Sequence, residues 1–567
     1  MMMPKPETSN ALARQLALNS LPPNLAAQSG SMTYSSQGHL LIIGPEDLAR
    51  LTAEQLTDLS SITLLALGDI SSQDDEHLEK ALNAAPDAKL IYAPLVSLQG
   101  WLGAFELQVM DTEKQESFNP AKALVGQQHF DLVLDLSGQQ LISSELSPPG
   151  YYAPTAGSTQ LNEVIAELSG MRGEFEKPTY IQVNHDICAH ADRGKTGCTR
   201  CLDVCPADAI SSHNHTPTHD FIIAVNDALC HGAGSCTTAC PTGALSFTSP
   251  QPPNRLSQLR QLIKNYQDAG GTKPALLIYG EEAAPDLNSL PDYVLPLPLE
   301  EAAGVGMEIW FSLLCAGCTF VSIQISDETP ASLVTLLNKE VGLAGQLLET
   351  LGHPAARINL VHCNALNSEL EALDKKLSRW HDQPATDPFE WEGKRGTLNA
   401  ALERLYEQAE AKEEPVLLSA TAPFGQVSIQ VDNCTLCMSC VALCPTGALR
   451  GGNETAPRLA FMEGDCVQCG LCEASCPEKV ITLEPRFVAA PGIRLEERTL
   501  KEEEPFHCIS CGKAFGNRST ITSIMKKLEN HSYFQGEAAK RLQMCEDCRV
   551  RDSYRELAAD PEAQLRL

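Results

Sequence analysis

Eight cysteines between residues 434 and 476 stand at ligand-like spacings. They read Cys434-x2-Cys437-x2-Cys440-x3-Cys444-Pro445, then Cys466-x2-Cys469-x2-Cys472-x3-Cys476-Pro477. Thiolates are soft ligands that select iron and zinc. Two-residue gaps let the backbone curl so that three sulfurs point to one side of a cuboid cluster. The proline that follows fixes a turn and directs the fourth sulfur away. The chemistry implied is one-electron transfer at iron–sulfur cubes, with two zinc sites as the alternative. A second set is a variant copy: Cys188-x9-Cys198-x2-Cys201-x3-Cys205-Pro206, then Cys230-x5-Cys236-x3-Cys240-Pro241. It carries an insertion, Ala189 to Gly197, and has Ala233 where a cysteine is expected. The two sets are internal repeats, because Cys240-Pro241-Thr242-Gly243-Ala244-Leu245 recurs unchanged as Cys444-Pro445-Thr446-Gly447-Ala448-Leu449.

A third pattern joins Cys508-x2-Cys511 to Cys545-x2-Cys548. Two such knuckles make a tetrahedral four-sulfur site, with zinc first and a single iron second. Zinc there has no redox chemistry and staples a tail too small to hold itself together. From Phe506 to Glu556 there are nine Lys/Arg against six Asp/Glu. This basic tilt reads as a solvated face or a docking surface for an acidic partner, with nucleic acid as the alternative. Cys315-Ala316-Gly317-Cys318 sits in an apolar run and reads as buried core thiols; a redox dithiol, or a metal site completed by Cys363, is the alternative. Arg193-Gly194-Lys195-Thr196 lacks the earlier glycine of a phosphate-binding loop, whose place is taken by Ala189. Gly304-Val305-Gly306 lacks the third glycine of a dinucleotide site. No Ser/His/Asp or paired-carboxylate arrangement stands out.

The elements that must position these thiols follow from the patterning between them. The chain has 567 residues, which at roughly 150 per domain suggests three to five domains. Residues 1–175 contain no cysteine. In them His39–Ile43, Ile62–Leu67, Leu90–Ala93 and Asp131–Leu136 alternate with helical segments, the pattern of a small sheet flanked by helices. Pro148-Pro149-Gly150 reads as a linker. Residues 254–415 repeat that alternation, with strands expected at Pro274–Tyr279, Thr319–Ile323 and Arg357–Val361. Apolar content is 43%, charged content 20%, and the net charge is −30. A balance so acidic argues against a general nucleic-acid or anionic-membrane binder, and no run of about 18 apolar residues predicts a membrane span. Met1-Met2-Met3-Pro4-Lys5-Pro6 has no apolar segment behind its single charge, so no secretory signal is expected. Twenty-two clustered cysteines in such a chain read as metal thiolates in a cytoplasmic protein rather than as disulfides.

The repeated Cys-x2-Cys-x2-Cys-x3-Cys-Pro motifs resemble the bacterial [4Fe–4S] ferredoxin domain. That resemblance implies that Cys434, Cys437, Cys440 and Cys476 hold one [4Fe–4S] cluster, and Cys466, Cys469, Cys472 and Cys444 another. In the variant copy it implies a third on Cys188, Cys198, Cys201 and Cys240. Cys230, Cys236 and Cys205 are left with three thiolates, for a [3Fe–4S] cluster, an incomplete [4Fe–4S] cluster, or none. His231, beside Cys230, reads as a loop residue, with a substitute ligand as the alternative. The fold class expected is multidomain α/β with two ferredoxin-like (α+β) dicluster modules, at 176–250 and 420–490. A small zinc-ribbon-like module occupies 500–567. As a whole the chain resembles the long 4Fe-4S binding proteins of proteobacteria that accompany formate dehydrogenase. Three segments carry this: Leu134–Ser137 with Pro148–Tyr151, Asp186–His190, and the tail Phe506–Lys513 with Met544–Arg549. The function expected is a cytoplasmic relay of single electrons through three or four clusters, serving redox protein partners, formate dehydrogenase among them. A redox-sensing assembly scaffold and an iron–sulfur subunit with a further cofactor are the alternatives.

Overall fold

Short runs of consecutive apolar residues become strands buried on both faces, and two parallel sheets are built this way. The computed structural model describes residues 9–20, 30–67, 75–155, 158–190, 197–214, 221–280, 283–299, 301–381 and 384–559. Met1–Pro6 and Arg193–Thr196 lie outside the described residues. The first sheet runs, edge to edge, Lys89–Ile91, Ser61–Ala66, His39–Gly44, Leu132–Asp135 and Tyr151–Tyr152, every pair parallel. Pro148-Pro149-Gly150, expected as a linker, instead turns the chain back into the last strand of this sheet. The turn is fixed by the Tyr151 hydroxyl, which donates to buried Asp135 Oδ2 at 2.6 Å.

The second parallel sheet has the order Val294–Leu299, Ala275–Gly280, Val321–Ile325, Ile358–His362. Along Ala275–Gly280 the side chains alternate between two cores. Leu276 and Ile278 meet the helices Pro252–Asp268, Met307–Cys315, Ala331–Thr350 and Gly393–Tyr406, while Leu277 and Tyr279 meet Leu366–Lys376. Val294–Leu299 was not among the expected strands because it contains Pro296 and Pro298. It tolerates them because it lies at the sheet edge, where missing N–H groups break no ladder on one side. The helix Ser9–Asn19, expected with the first sheet, packs Ala13 and Ala17 into the second core, and Arg14 Nη1 donates to Pro291 O at 2.9 Å.

Each cysteine repeat folds as two antiparallel strand pairs. In the first, Ile181–Val183 pairs with Leu245–Phe247, and Ile210–Asn214 with Phe221–Val225. In the second, Gly425–Ile429 pairs with Ile481–Phe487, and Leu449–Asn453 with Ala456–Phe461. Arg498–Glu502 extends the last pair, so the tail is joined to the second repeat through a sheet.

Cys315 and Cys318 lie in the second core, where burial pushes both thiols up to about 12. Cys315 Sγ donates to Ala401 O at 3.4 Å. Cys363 follows Ile358–His362 at the opposite edge of the sheet, beside His362, so these three thiols do not converge.

Nearby, Arg357 is fully buried and donates to Thr319 O, Cys318 O and His353 Nδ1. His353 Nε2 donates to Leu405 O at 2.8 Å. Burial, with the Arg357 guanidinium adjacent, lowers the His353 imidazole from 6.5 to about 4. Below 6.5 the unfolded state therefore binds the extra proton first. This sheet is expected to lose stability as pH falls from 6.5 toward 4, by up to about 3 kcal/mol. Hydrogen exchange in Val321–Ile325 measures this, and His353→Gln, which does not titrate, should flatten the slope.

Candidate metal centres

The thiols converge because the backbone between them adopts left-handed conformations. In the second repeat Leu436 and Met438 flank Cys437 at φ 53° and 63°, and Gln468 and Gly470 flank Cys469 at 53° and 83°. These paired reversals wrap each motif around a common centre. In the first repeat Gly232 and Gly234, at φ 76° and 71°, flank Ala233 in the same way. The ligand-binding loop is thus preserved there although the thiol is absent. After each Cys-Pro pair the third residue past the cysteine is again left-handed: Asp208, Gly243, Gly447 and Lys479.

Cys434, Cys437, Cys440 and Cys476 line one cavity, and Cys444, Cys466, Cys469 and Cys472 another. Each brings the fourth cysteine of one motif to the first three of the other. Cys205, Cys230 and Cys236 line a third cavity together with His231 and Ala233. Cys198 and Cys201 both lie within electrostatic reach of Cys188 and Cys240, which gathers a fourth set. Nineteen of the 22 thiols thus fall into four sets in the two repeats and one in the tail, with Cys315, Cys318 and Cys363 outside them.

The tail set differs in size. The sulfurs of Cys508, Cys511, Cys545 and Cys548 lie within 4.8 Å of one another, and no other His/Cys/Asp/Glu group among the described residues converges so closely. Four 2.3 Å bonds to one tetrahedral ion place sulfurs about 3.8 Å apart, so this set fits a single ion. The three sets that line cavities are wider and fit a cuboid group instead. Protonation follows the same division. Burial pushes Cys201, Cys440 and Cys469 up to about 12, so metal loading must release their protons. Cys508 goes the other way. Desolvation raises its thiol, but backbone N–H groups of Cys545, Cys511 and Ser510 outweigh it and bring it down to about 6.

The sets also stand in an order. Cys236 is within electrostatic reach of Cys201 and Cys240, and Cys472 of Cys440, which links the two sets inside each repeat. Between repeats, Cys469 is within reach of Cys198, and a Cβ on Gly197 would lie 3.0 Å from Leu471 Cδ2. Asn517 Nδ2 and Thr520 Oγ1 then donate to Leu436 O and Thr435 O, seating the tail against the outermost set. One helix of the second sheet unit, Gly393–Tyr406, holds both repeats. Lys394 Nζ donates to Thr237 O and Thr238 O of the first, and buried Arg395 donates to Gly464 O and Cys466 O of the second. The sequence did not single out this Lys-Arg pair, since such a pair at a helix start reads equally as a solvated face.

A family model described as a 4Fe-4S dicluster domain matches residues 196–244, and another of the same description matches residues 433–481. Hydrogenase-4 component A of Escherichia coli (strain K12) is 33% identical over 104 residues, covering 18% of this chain and 40% of that relative. The chain thus spans two fifths of the relative's length. Among the described residues no helix is long and apolar enough to cross a membrane. With both dicluster matches falling on the thiol-lined repeats, the chain is a multi-cluster 4Fe–4S protein of the ferredoxin type.

Proposed function

We propose that the protein is a cytoplasmic electron carrier whose thiol sets form one continuous relay. The sequence of sets, from Cys205/Cys230/Cys236 through Cys188/Cys198/Cys201/Cys240 and Cys444/Cys466/Cys469/Cys472 to Cys434/Cys437/Cys440/Cys476, is the observation that carries this reading. Three [4Fe–4S] clusters occupy the four-thiol sets, and a [3Fe–4S] or incomplete cluster occupies the set containing Ala233. Such clusters, when bound, supply one-electron storage at potentials set by their surroundings.

The chain's own groups set those surroundings. Thr242 Oγ1 and Thr446 Oγ1 stand 3.5 and 3.7 Å from Cys240 Sγ and Cys444 Sγ, an equivalent pair in the two repeats. The Ala209 N–H and Gln468 Nε2 donate to Cys205 Sγ and Cys466 Sγ. Such hydrogen bonds disperse thiolate charge and favour the reduced state. Cys437 is exposed, which puts the last set where a protein partner can approach. The partners are redox enzymes. The sequence resemblance suggests formate dehydrogenase, and the relative's name suggests a hydrogenase. The Cys508/Cys511/Cys545/Cys548 set holds zinc in a ribbon-like tail with a structural role.

An anaerobic metal count tests the assignment. The expected result is about 16 iron per chain, or about 15 with a [3Fe–4S] cluster, and about one zinc. Near-absence of iron with several zinc ions, after anaerobic reconstitution, would overturn it.

A further inference from the structure

Between the first repeat and the second parallel sheet lies a cavity of about 540 Å³ that holds none of the cluster thiols. This is within the range of about 300–1,000 Å³ typical of small-molecule sites. Its sheet side is formed at the carboxyl end of Val294–Leu299 and the start of Met307–Cys315, the end of an open parallel sheet where ligands generally bind. Glu308 lines it, 6% exposed, and its Oε2 accepts no hydrogen bond. The nearest cation is Lys394, whose Nζ is 3.6 Å from Oε2 and commits two of its three N–H bonds to Thr237 O and Thr238 O. Gly306 makes the site possible, because a Cβ there would come within 2.8 Å of the Glu308 carboxylate. The buried edge of the cavity therefore presents a carboxylate oxygen with no hydrogen bond, ion-paired at 3.6 Å with an ammonium that has one N–H left to give.

A buried carboxylate oxygen without a donor costs free energy that a ligand can recover. The matching ligand edge is an N–H next to a carbonyl. Tyr180, Phe247 and Trp391 also line the cavity, which suits a flat ring. The other charged residues lining it, Arg255 and Glu301, cancel as Glu308 and Lys394 do, so the site favours an uncharged ring over a phosphorylated one. We propose that this cavity binds a neutral, planar heteroaromatic molecule through an imide-type N–H/C=O edge, with Glu308 accepting from the N–H and Lys394 donating to the carbonyl. Thr242, which touches Cys240 Sγ, lines the same cavity and places the ligand beside the first repeat.

Riboflavin, an uncharged ring with that edge, is the probe. Titrated with the iron-loaded full chain, its fluorescence should be quenched saturably at one per chain. Glu308→Gln should weaken binding about tenfold or more, as for loss of a hydrogen bond to a charged group. Pro298→Trp, at an exposed position on the rim, should block binding without touching the core. Visible absorption of the clusters reports that each variant is folded. Lumichrome, the bare ring, should compete, whereas menadione, which has no N–H, should not. Absence of saturable quenching, equal binding by folded Glu308→Gln and Pro298→Trp chains, or equal competition by menadione would each overturn the proposal. None of these readouts depends on electron relay.

Discussion

Replacing Cys469 by serine is expected to remove about four iron atoms per chain and to stop electrons crossing from one repeat to the other. Cys469 belongs to the set with Cys444, Cys466 and Cys472, and it is the member within electrostatic reach of Cys198 in the first repeat. Removing it breaks the sequence of sets at its middle. Even loss of the groups that support a metal ligand lowers affinity or activity about 10–100-fold, and loss of the ligand itself should be no milder. Cys437→Ser makes the control. It also costs a cluster, but at the exposed end, and should leave passage between the repeats intact. Cys363→Ser should change neither iron content nor transfer, since that thiol lies apart from every set. Rapid-freeze EPR after reduction of one end, read with iron and sulfide counts, distinguishes the three. Undiminished crossing in an iron-depleted Cys469→Ser chain would show that the sets do not act in series.

The thiol sets could be expected from spacing because a Cys-x2-Cys-x2-Cys-x3-Cys-Pro run constrains both the turn and the direction of each sulfur. Ala233 illustrates how far this extends. Its position among the motif spacings pointed to a missing ligand, and the left-handed Gly232 and Gly234 around it repeat the geometry around Cys469. The apolar runs at 39–43 and 131–136 were readable as strands because a buried parallel strand needs little else. Val294–Leu299 was not, because its prolines are acceptable only at an edge, and edge position is a property of the assembled sheet. Lys394, Arg395 and Glu308 were equally invisible. Their roles depend on which carbonyls and which cavity the fold brings to them, and those carbonyls lie from 69 to 157 positions away along the chain.

Removing iron should unfold the two repeats while leaving both parallel sheets in place. The core of the first repeat, among the described residues, consists of Cys188, Cys201, Cys236 and Cys240 buried with Ile181, Ile223, Ala244 and Leu245. The second buries Cys434, Cys440, Cys466 and Cys472 with a modest aliphatic set around Phe461. A unit of about 60 residues buries only about 60% of its unfolded surface, and here half the first core or more is ligand sulfur and its immediate cover. Without metal, the thiols of three of the sets surround cavities and gain nothing from their burial. The second parallel sheet, by contrast, packs Trp310, Phe311, Leu337 and Leu347 into a continuous core that contains no cluster thiol. Hydrogen exchange in an iron-free chain is therefore expected to show opening free energies near ~0 kcal/mol for Ile181–Val183 and Ile481–Phe487, with protection retained in Ala275–Gly280. Lys394 and Arg395 sharpen the expectation, since they grip carbonyls of both repeats and should become exposed when those loops open. Protease-resistant fragments spanning 181–247 or 425–487 that persist equally with and without iron would show that the protein chain alone, not the clusters, holds these units together.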